Sequence, residues 1–181
     1  MSSKAPESFD ALAIIEVLVR HQVDFVVIGG FAASLQGSPY VTYDVDVTPK
    51  MSQANYDRLS TALKELEARV RAEGTDPLPF DHDGDSLADV AMWNLTTKFG
   101  NLDISTTPSG TTGYPDIRRD ALVVRVRSVE FVIASVADIV RSKNAAARDK
   151  DRLVLPVLRE LAAEETKRRA EGRRRKPPVP L

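Results

Sequence analysis

Residues 25 to 47 constrain the chain most. FVVIGGFAASLQGSPYVTYDVDV joins an apolar, β-branched run to a Gly-Gly turn, a stretch of small residues and an alternating segment ending in Asp-x-Asp. Side chains alternate faces along a strand, so Asp44 and Asp46 project from one face while Val45 and Val47 enter a core. The first run reads as a buried strand, the small residues as a short helix packed close to a sheet, and Gly37, Ser38 and Pro39 as its end. One strand-turn-helix-strand unit therefore presents two carboxylates and a glycine turn on the same sheet edge.

Two carboxylates that close repel each other unless a proton, water or a cation relieves them, and a divalent ion does so best. The chain has no cysteine and only His21 and His82, neither with metal-ligand spacing, so a metal must sit on oxygen ligands. That chemistry favours Mg²⁺. Asp103, an isolated acid between Leu102 and Ile104 in NLDIST, is a third ligand if its strand lies beside the first. Without that strand, an Asp-x-Asp pair serves equally well as the wet face of an edge strand. Gly29-Gly30 stands where backbone N–H groups and a helix start can approach phosphate oxygens.

Elsewhere the pattern predicts helices over residues 8 to 21 (Ser8 as cap) and 52 to 72, then a loop from 74 to 84. DHDGD at 81 to 85 lacks the glycine and glutamate spacing of a calcium loop, which leaves a solvated turn. Strands follow at 91 to 97, 101 to 106, 122 to 126 and 129 to 133. A helix capped by Ser135 precedes a last helix from about 149 to 170, and KPPVPL ends the chain as coil. The fold class is α/β (α+β), a mixed sheet flanked by helices. Its organisation is a core over 1–134, a helical region over 135–171 and a basic, proline-rich tail over 172–181.

The unit VVIGGFAASLQGSPYVTYDVDV resembles the signature of the nucleotidyltransferase superfamily related to DNA polymerase beta, and Asp103 matches its third carboxylate. The segment IASVADIVRSKNAAARDKDRLVLPVLREL is similar to one in AbiEii and MenT-type toxins of bacterial toxin-antitoxin pairs. The resemblance implies catalytic Asp44, Asp46, Asp103, Lys143 and Asp151, with phosphate held by Gly29, Gly30, Lys143 and Arg148. Gly30 stands where many relatives have serine, so Ser34 or backbone donors would supply the missing contact. Two Mg²⁺ ions, replaceable by Mn²⁺, would be bound by Asp44, Asp46 and Asp103.

A nucleoside triphosphate donor, CTP first, a tRNA 3′ end as acceptor and a cognate antitoxin protein follow from the same resemblance. The acceptor could equally be a small molecule such as an aminoglycoside, or a protein hydroxyl. A non-catalytic binding module is a third reading. Seven basic residues against Glu171 between 167 and 176 suit RNA, with Arg168, Arg169, Arg173, Arg174 and Arg175 as contacts. No apolar run spans a bilayer and the N-terminus has no secretory pattern, which points to the cytoplasm and no membrane partner.

Overall fold

The computed structural model describes residues 9–72 and 74–175. Helix α1 (Ala11–Arg20) buries Ile14, Ile15 and Leu18, spaced for one helical face. Its cap is Asp10, which accepts from the Ala13 N–H at 3.0 Å; the expected cap Ser8 lies outside the described residues. β1 (Phe25–Ile28), α2 (Gly29–Ser34) and β2 (Asp44–Pro49) form the unit read from the sequence. The alternating segment YVTYDVDV reads as strand from Tyr40, but β2 opens only at Asp44. Val41 and Tyr43, 76% and 73% exposed, alternate in sequence but meet no neighbouring strand.

Helix α3 (Gln53–Glu65) stops before residue 72, the expected end, because Glu67 turns left-handed (φ 54°) and Arg69–Val70 become β3. Backbone pairing of β3 with β4 (Met92–Thr97) overrides a sequence that carries no proline or glycine there. The loop predicted from 74 to 84 holds through residue 83 and is followed by α4 (Gly84–Ala88), capped by Asp83 through reciprocal bonds with Ser86. The DHDGD turn is thus partly a helix cap.

β5 (Gly100–Ser105), α5 (Tyr114–Arg119), β6 (Leu122–Val126) and β7 (Val129–Ile133) complete the sheet region. α6 (Val136–Ala146) is capped by Ser135 as expected. α7 (Asp149–Arg175) continues five residues past its predicted end. No helix among the described residues is long and apolar enough to cross a membrane.

The seven strands form one sheet in the order β3-β4-β5-β2-β1-β7-β6. β2 pairs antiparallel with β1 and parallel with β5, so the sheet is mixed. Val26, Val27, Val45, Val47, Leu102 and Ile104 are buried, and α1 and α3 add Leu18, Leu59 and Leu63 to the same core. At roughly 1.5–3 kcal/mol for each fully buried aliphatic side chain, these central strands are held by apolar burial on both neighbours. The site rests on strands whose inward side chains are buried.

Candidate active site

β2 and β5 run parallel in a register that sets Asp46 directly opposite Asp103. Asp44 lies two residues along β2 on the same face as Asp46, while Val45 and Leu102 point into the core. One carboxylate oxygen from each aspartate lies within 4.8 Å of the others. The three acids predicted from sequence are therefore assembled by strand pairing alone. Burial, and then repulsion from Asp44 and Asp103, push the Asp46 carboxyl up to about 7. Asp103 is also raised by burial, although Arg71 pulls the other way through a 2.6 Å ion pair to its Oδ1.

An all-oxygen cluster in which Asp46 and Asp103 are held above their ordinary range fits a hard divalent cation, whose charge would reverse the repulsion. Asp44, Asp46 and Asp103 are the residues that would hold it. Thr42 donates its hydroxyl to the Asp44 Oδ1 and orients that carboxylate.

The glycine turn serves this cluster in two ways. Gly29 is left-handed (φ 66°), and a Cβ there would overlap the Asp46 carboxylate. Gly30 meets Thr42, whose Cβ would stand 3.1 Å from a Cβ at position 30, so threonine occupies the space that a larger residue would need. Gly30 lines the cleft, whereas Ser34 does not: its hydroxyl donates to the Phe31 carbonyl at 2.8 Å inside α2. The structure gives Ser34 no place in the site.

The cleft over this face is a cavity of about 250 Å³ that brings together Asp44, Asp46, Asp103, Lys143, Arg148, Lys150 and Asp151. Lys143 comes from α6, and Arg148 from the link between α6 and α7. Asp151, fully buried in the first turn of α7, binds both: Lys143 Nζ at 2.8 Å and Arg148 Nε at 2.9 Å. Burial by itself would raise Asp151, but the two cations hold its carboxyl below the ordinary range. Asp151 is thus the anchor of the cationic wall, set apart from the ligand triad.

Thr42, Arg71 and Lys150 were missed by sequence reasoning. Thr42 lies two residues before Asp44, and that spacing was a usable signal. Arg71 had none, since it follows a strand visible only through pairing. Of the expected RNA contacts, Arg168 pairs with Glu164 at 3.2 Å, both side chains exposed on α7. The side chains of Arg169, Arg173, Arg174 and Arg175 lie outside the described residues.

No protein-family model matches the sequence, and no curated protein matches it. Among solved structures, the lincomycin-bound lincosamide antibiotic adenylyltransferase LnuA aligns with TM-score 0.57 at 11% identity, covering 86% of this chain and 99% of that one. The fold is that of a nucleotidyltransferase. The antibiotic-resistance factor ANT(2'')-Ia, solved in solution, shares it with TM-score 0.51 at 13% identity, over 89% of this chain and 91% of that one. These identities carry the nucleotidyltransferase fold, and the chemistry rests on the residues themselves.

Proposed function

We propose that this chain is a divalent-metal-dependent nucleotidyltransferase that passes a nucleoside monophosphate from a triphosphate, CTP first, to a hydroxyl acceptor. The observation that carries the reading is the register of β2 and β5, which sets three carboxylates together beside a cationic cavity. Lys143, Arg148 and Lys150 neutralise the triphosphate, and Gly30 brings bare backbone to the same wall. Asp44, Asp46 and Asp103 would hold the metal. A bound Mg²⁺ would lower the pKa of the acceptor hydroxyl and offset charge on the phosphate. The acceptor oxygen bonds to the α-phosphorus, the bond to the bridging oxygen breaks, and pyrophosphate and a proton leave.

For the acceptor we favour the 3′ end of tRNA, as the action of a toxin paired with an antitoxin. Support comes from the Lys143 to Asp151 segment, which resembles AbiEii and MenT-type toxins, and from the basic stretch beyond residue 166. That stretch begins ~27 Å along α7 from Asp149, which suits phosphates remote from the reacting end. A small hydroxyl compound is the second reading, in keeping with the antibiotic-modifying neighbours and the second cavity described below.

The test is to incubate the purified chain with total tRNA and each α-labelled triphosphate in turn, with Mg²⁺ and with EDTA. Label on tRNA that vanishes with EDTA and in Asp46→Ala is the expected result. Expression should also arrest growth in the same Asp46-dependent manner. Bound triphosphate with label found only on another acceptor refutes the tRNA reading.

A further inference from the structure

Two of the three carboxylates, Asp46 and Asp103, line two cavities rather than one. The first, of about 250 Å³, carries Lys143 and Lys150. The second, of about 310 Å³, opens on the β5 side, and the two share Asp46, Asp103 and Arg148. The remainder of the second cavity is uncharged among the described residues. Asn94, Ser105, Thr107, Ser109 and Ser142 line it, and Met92 stands on its wall, 58% exposed. None of those five amide and hydroxyl side chains makes a hydrogen bond within the described protein. By contrast, Ser38 and Thr42 in the first cavity are both bonded.

Five unspent donor-acceptor groups, an apolar methionine and a size near the lower range of ligand sites describe a seat for a neutral, hydroxyl-rich ring. An anion fits poorly. Arg148 is its single cation, set against the two carboxylates of Asp46 and Asp103. A polycation fits no better, because the acids in the cavity are the two that the metal would occupy.

Resting on the transferase reading, we infer that the second cavity seats the acceptor, and that the acceptor places there one uncharged, sugar-like unit. Any phosphates it carries stay outside. A free glycoside and the terminal nucleoside of an RNA share that chemistry. The hydroxyl then approaches Asp46 and Asp103 from the side away from Lys143 and Lys150, so its attack on the α-phosphorus and the departure of pyrophosphate occur on opposite sides.

The test uses the full chain with Mg²⁺ and α-labelled CTP, given separately total tRNA, adenosine and the polycation kanamycin. Thr107→Trp and Ser109→Trp, both in an exposed loop, fill the second cavity, and Lys150→Ala reduces the charge of the first. Label is expected on tRNA, adenosine or both. The Trp variants should raise the KM for that acceptor about tenfold or more with CTP binding in equilibrium dialysis unchanged, and Lys150→Ala should do the reverse. Label on kanamycin alone, label on none of the three despite bound CTP, or an acceptor KM indifferent to both Trp variants overturns the inference. Failure to bind CTP or any other nucleoside triphosphate in the same dialysis instead overturns the transferase reading, and one that binds in place of CTP takes its role in the assay.

Discussion

At the scale of residues, Asp46 carries the sharpest consequence. Its folded carboxyl sits near 7, above the ordinary 3.8, so without metal the folded state binds more protons than the unfolded state between those values. Metal-free protein should therefore lose stability as pH rises from about 4 to about 7, by on the order of 2–4 kcal/mol for this group. Urea unfolding in EDTA across that range measures it. Asp46→Asn should flatten the profile and raise stability at pH 8, while lowering transfer by at least ~10³-fold. Gly29 has the opposite character. Gly29→Ala must hold a side chain at φ 66° and displace the Asp46 carboxylate, at a cost of about 1–3 kcal/mol with loss of activity. Ala at Gly74, also left-handed but with open space around it, is the control, and should cost less in the same urea assay.

Among the elements, the junction of α6 and α7 governs the cationic wall. Ala147 turns left-handed to end α6, and Asp151 then ties Lys143 to Arg148 from the next helix. Asp151→Asn keeps the shape but removes the charge, leaving Lys143, mostly buried, without its partner. About 1–3 kcal/mol of stability should go with it. The KM for CTP should rise more than kcat falls, since the triad is untouched. Steady-state kinetics beside a denaturant curve separates the two effects, and an unchanged KM would sink the role given to Asp151. The same carboxylate is held below its usual range, so this contribution fades on acidification, opposite in sign to Asp46.

For the whole molecule, a metal that binds the folded cluster stabilises the fold in proportion to its occupancy. Added Mg²⁺ or Mn²⁺ should raise the melting temperature at pH 8, less so at pH 5, where a proton competes for Asp46. The double variant Asp44→Asn with Asp46→Asn should show no rise. Differential scanning calorimetry reads this without any need for substrate. Equal shifts in wild type and double variant would place the metal elsewhere.

What the sequence determined by itself was local: the buried run, the glycine turn, the alternation that puts Asp44 and Asp46 on one face, and the Ser135 cap. Each depends on side-chain periodicity or on backbone freedom that a few neighbouring residues decide. Asp103 was visible as an acid between apolar neighbours, yet its register against Asp46 was not, because strand pairing joins residues far apart in the chain. Tertiary structure alone decided β3, the bond from Arg71 to Asp103, the place of Asp151 under two cations, and the second cavity. It also took Ser34 out of the site. These features arise from packing between elements, where a two-residue strand or an unbonded serine acquires meaning only from what lies opposite.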